Sequence, residues 1–299
     1  MSSFKNFIPP FLLNQLQYIK AYITFLPHMN LVKQNHIYRD IHKRNNCFIL
    51  GSGKSIDSED ILLLKNEIVI GVNSFVNHPN FSELFNSDVI KYYFIAPIHG
   101  PYTEEHWKDH FMELEKKLPL NVINIFGVNN YQPSTKDIID KYDLFKNRKI
   151  LWYFANIVNN SSLYKPLQKD LNLTSNIWSS YTGSILALIS ALYMGFENIY
   201  LLGMDHDYFL HKEGEARFKG IDSSATLLKE EKKVLKQRSQ INNKHQSSYM
   251  REEFEALSEI FLQYERIGNL FPNKIFNLGK NSLLDMFPHK DLTSLIEGK

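Results

Sequence analysis

A single cysteine, Cys47, in 299 residues leaves no internal disulfide to form, and this scarcity points to a reducing compartment. Cys47 lies in an apolar run that reads as a buried strand, where a thiol packs as a small hydrophobe. The chain has no stretch of ~20 mostly apolar residues free of charge and proline, so no spanning helix is expected. Its opening residues offer no charged start leading into a long uninterrupted apolar run and no A-x-A-like site, so no secretory signal is expected. Charge of either sign is not in excess. The formal net charge of +2 argues against a dedicated nucleic-acid binder. Internal repeats and low-complexity tracts are also missing. What is present is an ordinary globular composition, 43% hydrophobic and 22% charged, with length enough to bury a sizeable core in one large domain or two small ones.

The chain is organised around Tyr181 to Tyr208, YTGSILALISALYMGFENIYLLGMDHDY. Ile185, Leu186, Leu188, Ile189, Leu192 and Met194 make a helix apolar on every side, which must be buried. Gly195 stops it, and Ile199 to Leu202 reads as a central parallel strand. That strand ends in Gly203 and three ionisable groups, Asp205, His206 and Asp207. Open α/β sheets bind ligands at the carboxyl ends of their strands. Chemistry is therefore expected at Gly203 to Tyr208, with the other candidate loops converging there.

Residues 4 to 44 differ from the rest. Their basic side chains are Lys5, Lys20, Lys33, Arg39, Lys43 and Arg44, against Asp40 alone. Phe11, Leu12, Leu16, Ile19 and Ile23 share one side of a helix. Such a segment suits an anionic membrane interface, or packing on the protein's own core or on a second subunit. A catalytic domain is expected over residues 45–299, with 1–44 as a basic amphipathic extension. CFILGSG reads as a strand entering a glycine turn, and IDSEDILLL as a helix with acidic residues in its first turn. EIVIGVNSF is a strand ending at Asn73, and IKYYFIAP one ending before Pro97. A helix follows over Thr103 to Lys117, then the strand NVINIFG, a helix opened by the capping-box pattern at Ser134 to Asp137, and a strand near Ile150 to Phe154. A polar loop leads to the organising helix. Strands alternating with helices predict a mostly parallel, doubly wound sheet. From His211 to about Lys244 the chain is charged without a clear period, and reads as a lid over about 209–248 or as a solvated hairpin. Arg251 to Ile267 forms an amphipathic helix, and KIFNLGKNSLL a last strand and loop.

Several residues could carry chemistry. Gly51-Ser52-Gly53-Lys54-Ser55 is not a Walker A loop, because Phe48 stands where that motif needs its first glycine. A glycine turn after a first strand still lets backbone N–H groups approach a phosphate at a helix N-terminus. Asn73 presents an amide with both a donor and an acceptor, suited to a base edge or ribose. Asp205 and Asp207 could hold Mg²⁺ or Mn²⁺ against a diphosphate. Alternatively Asp205 is structural, bonding N–H groups of neighbouring loops. His206, His245, His99 and His211 are each general-base candidates. Tyr102, Trp107 and Trp178 could line a sugar-stacking wall or simply pack in the core.

With these residues placed, the chain resembles the bacterial sialyltransferases of glycosyltransferase family 42. The shared features are GSGKS, the GVN strand end, Thr182-Gly183-Ser184 opening the buried helix, GFENIYLLGMD, the later helix with Ala256-Leu257, and NLGKNSLL. The resemblance implies a Rossmann-like domain, a GT-A-like variant, whose lid closes over a CMP-activated sugar. It implies donor contacts at Gly51, Ser52, Gly53, Asn73, Thr182, Gly183, Ser184, Gly203, Asp205, Asp207, Tyr208 and Tyr249. It further implies His245 as general base, with His206 as the second candidate. The family carries Asn and Pro where this chain has Ser52 and Lys54, an Asn at Ala96, and an Arg at Ser180. GFENIYLLGMDHDY is equally similar to the MptE-like domain of 6-hydroxymethylpterin pyrophosphokinases, which implies ATP and Mg²⁺ held by Asp205 and Asp207.

The expectation is therefore an α/β inverting glycosyltransferase that requires no cofactor. It would move a sialic-acid-like or Kdo-like sugar from a CMP-activated donor to a lipopolysaccharide, capsule or other surface-glycan or lipid-linked acceptor. The protein is expected in the cytoplasm, peripheral on the inner membrane through residues 1–40, with no nucleic-acid partner and with homo-oligomerisation left open. The alternatives are the Mg²⁺-dependent pyrophosphokinase and a non-catalytic membrane-bound scaffold of polysaccharide assembly.

Overall fold

The computed structural model describes residues 9–157, 171–179, 182–207, 217–219, 246–280 and 282–298. Within them, short apolar runs become strands β1 (Asn46–Leu50), β2 (Val69–Val72), β3 (Lys91–Ile95), β4 (Ile123–Val128), β5 (Ile150–Ile157), β6 (Asn176–Ser179), β7 (Asn198–Leu202) and β8 (Ile275–Asn277). All pair in parallel in one sheet, ordered β6-β5-β4-β3-β2-β1-β7-β8. Parallel strands are covered on both faces, which is why these runs are continuously apolar rather than alternating. Cys47, Phe48, Ile49 and Leu50 of β1 are all fully buried.

The helices are α1 (Pro10–Phe25), α2 (Met29–Lys33), α3 (Phe81–Phe85), α4 (Glu104–Lys117), α5 (Thr135–Lys141), α6 (Gly183–Tyr193), α7 (Gln246–Leu270) and α8 (Leu292–Glu297). One face of the sheet carries α6 and the Ile260, Tyr264 and Ile267 side of α7. The other carries residues of α3, α4 and α5. This is a Rossmann-like α/β architecture. Every α6 residue from Ser184 to Tyr193 is buried, as a helix apolar all round requires. Thr103 and Ser134 cap α4 and α5 through capping boxes. Gly195, at φ +84°, turns the chain after α6, and a Cβ there would fall 2.8 Å from the Asp40 Cα.

Strand order decides where ligands can bind. From β1 the chain steps outward to β6, then returns through α6 to place β7 on the other side of β1. The direction of winding thus reverses between β1 and β7, and the crevice at that reversal is where such sheets bind ligands.

Several details differ from, or add to, the sequence reading. IDSEDILLL is not one α-helix but two 3₁₀ turns, Lys54–Ser58 and Ile61–Leu64, separated by extended backbone at Glu59 and Asp60. Asp60 accepts a hydrogen bond from Leu62 N, starting the second turn afresh. β6 and α8 were not anticipated; each is too short to show a period. Within residues 9–44 the alternative of packing on the protein's own core holds in part, because Ala21, Phe25, Val32, Asn35 and His42 are buried. The Asn35 amide donates to the Trp152 and Leu173 carbonyls, beside edge strand β6. Residues 246–248, assigned to the lid, open α7.

Candidate functional site at the β1–β7 crevice

The glycine turn after β1 is shaped by the tip of β7. Gly51 N donates to the Leu202 carbonyl at 2.8 Å and Gly53 N to the Gly203 carbonyl at 2.7 Å. A Cβ at Gly51 would sit 2.3 Å from the Gly203 oxygen, and one at Gly53 would sit 2.6 Å from Asp205 Oδ2. Contacts below 3 Å against backbone cannot relax cheaply, so both glycines are dictated by turn-on-turn packing. Gly203 is at φ +70°, inside the left-handed region that favours glycine.

Asp205 is the staple between the two turns. It is 4% exposed. Oδ2 accepts from Ser55 N at 2.7 Å and Oδ1 accepts from the Ser55 hydroxyl, which in turn accepts from Gly203 N at 3.2 Å. This matches the structural alternative among the readings of Asp205, with both carboxylate oxygens engaged by Ser55. The α-helix N-terminus expected to receive a phosphate does not form, and the N–H groups of Gly51, Gly53 and Ser55 donate instead to Leu202, Gly203 and Asp205, at and just beyond the end of β7. Among the described residues, no group of three or more His, Cys, Asp or Glu is placed to hold a metal ion.

Asn73 follows β2 in the left-handed region, at φ +50°, which asparagine tolerates. The buried Tyr93 hydroxyl fixes this turn by donating to the Asn73 carbonyl and accepting from Val76 N. Asn73 Oδ1 accepts from Ala96 N at 3.3 Å. A Cβ on Gly183 would fall 2.9 Å from Asn73 Nδ2, so the start of α6 lies against the amide.

Thr182 caps α6, and its hydroxyl lies 2.7 Å from Ser184 Oγ. Tyr264 of α7, fully buried, donates to Ser184 Oγ at 2.7 Å. His206 Nε2 is 3.2 Å from the Tyr264 hydroxyl and 3.5 Å from Ser184 Oγ. Because Tyr264 gives its only proton to Ser184, its oxygen accepts from His206 Nε2–H, and this chain assigns the lone pair of the neutral ring to Nδ1. Burial pushes the His206 pKa down to about 4, against the opposing pull of Asp207. The imidazole is therefore neutral at physiological pH. Its backbone sits at φ +55°, sparsely populated for histidine and often found at functional loops.

Arg217 closes the arrangement. Its backbone pairs with Gly53, its neighbour Phe218 donates N–H to the Ser52 carbonyl at 3.2 Å, and Arg217 Nη1 donates to Ser74 Oγ at 3.0 Å. The contacts form a circuit: Gly53 to Asp205, His206 to Ser184, Gly183 to Asn73, Ser74 to Arg217, and back to Gly53. The four loops singled out in the sequence meet at the winding reversal. With Arg217 they bring together hydroxyls, an amide, a guanidinium and a neutral imidazole, a set suited to an anionic, hydrogen-bonding ligand.

Other candidates lie elsewhere. Trp107 is buried beneath Tyr102 and His99, its Nε1 donating to the His99 carbonyl, so this aromatic group packs the core around α4. Tyr208, His211 and His245, and the side chains of Trp178 and Tyr249, lie outside the described residues. Among the described residues, His206 is the histidine held in the circuit. Sequence reasoning missed Ser55, Ser74, Arg217 and Tyr264. Only Arg217-Phe218, an aromatic beside a cation in an otherwise polar tract, left a readable sign. Neither models of known protein families nor curated proteins provide a match to this chain.

Proposed function

We propose that this crevice binds the nucleoside phosphate of a CMP-activated sugar, and that the protein transfers a sialic-acid-like or Kdo-like residue to a surface-glycan hydroxyl with inversion. The observation that carries this reading is the convergence of Gly53, Asn73, Ser184 and Asp205, with Arg217, at the β1–β7 reversal. The resemblance to the family 42 sialyltransferases supplies the substrate class. Arg217 and the hydroxyls of Ser52, Thr182 and Ser184 would stabilise charge on the departing cytidylate as its bond to the anomeric carbon breaks. Asn73 Nδ2 would hold the nucleoside. His206 Nδ1 would take the proton of the acceptor hydroxyl as the new glycosidic bond forms. The negative phosphate would raise the low imidazole pKa toward the working range. The engagement of both Asp205 oxygens by Ser55 favours this reading over a carboxylate-held Mg²⁺.

The test is CMP release from CMP-sialic acid and CMP-Kdo, with and without bacterial glycan acceptors. Acceptor-stimulated release that persists in EDTA and is lost in His206→Asn supports the proposal. Absence of CMP release from either donor, or turnover only of ATP with Mg²⁺, refutes it.

A further inference from the structure

We propose that α1 is an interfacial anchor that lies along an anionic bilayer. This rests on observations independent of the crevice. Ala21 and Phe25 turn inward, Phe25 packing on Phe154 of β5 at 5.4 Å between ring centroids. The opposite side of the helix is an apolar stripe left in solvent: Leu12 is 49% exposed, Leu16 55%, Ile19 55%, Ile23 58% and Leu26 42%. At 100° per residue the four within α1 fall within an arc of roughly 60°, and Leu26 follows directly at its C-terminal cap. Exposed leucines scattered singly need no explanation, but a row on one line of one helix does.

Charge selects the occupant. The first 39 residues carry Lys5, Lys20, Lys33 and Arg39 and no carboxylate at all. Lys20 is exposed one position along from Ile19. Two copies meeting along this stripe would bring like charges together, with no acidic flanks to pair them, whereas helix pairs ordinarily set opposite charges beside their seam. An anionic lipid surface supplies the missing sign, and the stripe supplies apolar burial in the headgroup region. Phe154 and Val128, which receive Phe25, lie toward the carboxyl ends of β5 and β4. The anchored helix therefore roots at the same end of the sheet as the crevice.

The test uses the full chain in sedimentation with vesicles of phosphatidylcholine alone or mixed with phosphatidylglycerol. The parent should partition at least ~10-fold more strongly to the mixed vesicles and lose this as salt rises. Leu16→Glu/Ile19→Glu should weaken binding at least ~10-fold with an unchanged melting temperature, because both side chains already face solvent. Leu120→Glu, at a residue 76% exposed elsewhere, should bind as the parent does. The proposal is overturned by equal partition of the parent to both vesicles or by unchanged binding of the double variant. A parent dimer that the double variant turns into a monomer without lipid binding also overturns it. So does a melting temperature several degrees lower in that variant, which would mean that the chain covers its own stripe.

Discussion

Replacing Asp205 with alanine tests whether the two turns are stapled by that carboxylate. The change removes an acceptor 2.7 Å from Ser55 N and a second acceptor for the Ser55 hydroxyl, both in a 4%-exposed position. A hydrogen bond to a charged group contributes about 1.5–3 kcal/mol, and an orphaned buried N–H costs about as much, so a loss of about 3 kcal/mol is expected. Unfolding entropy near 2.1 cal/mol/K per residue gives about 0.6 kcal/mol/K over 299 residues, so Tm should fall by about 5 °C. Ser55→Ala should lose less, because Ser55 N still reaches Oδ2. The double variant should be no worse than Asp205→Ala alone, since the partners act as a unit. Thermal unfolding by circular dichroism reads all three. An Asp205→Ala protein melting within 1 °C of the parent, or strict additivity in the double variant, refutes the staple.

Three further outcomes follow from the same geometry. Arg217→Ala should weaken CMP binding ~10- to 100-fold, the usual worth of a charge-assisted contact, with little change in Tm; titration calorimetry decides. Tyr264→Phe removes the links to Ser184 and His206 and should lower stability by about 1–2 kcal/mol, read by denaturant unfolding. His206 and His110 both have folded pKa values near 4, below the unfolded 6.5. The unfolded chain therefore binds protons first, and stability present above pH 6.5 is lost as pH falls toward 4. Each histidine contributes at most about 1.4 kcal/mol per pH unit, and His206→Asn should flatten the slope measurably.

The sheet was legible because fully buried parallel strands are written as unbroken apolar runs, and NCFIL, KYYFI and NIYLL leave no other reading. Even the starts of α4 and α5 could be read, since Thr103 and Ser134 cap them locally. β6 was not legible: four residues, NIWS, carry no period. The loss of the helix after Ser55 was hidden as well. It depends on Asp205, 150 residues away, drawing Ser55 N toward β7 rather than leaving it to an anion. The crevice was foreseen from the strand ends at Gly51, Asn73 and Gly203 and from the helix start at Thr182. Its cation was not, because Arg217 reaches the turn only by pairing with Gly53 across a long sequence gap. The apolar stripe on α1 was read from its spacing, but composition could not say which side the protein itself would cover.

The most direct test of the central claim is a thermal shift of the full chain with CMP in EDTA. A one-site ligand at about 100 times its Kd stabilises by about 2.7 kcal/mol, so Tm should rise by about 4 °C, and the shift should vanish in Arg217→Ala. An unchanged Tm with CMP, CDP, UDP and ATP, each with and without Mg²⁺, would contradict a nucleoside-phosphate site at the β1–β7 crevice.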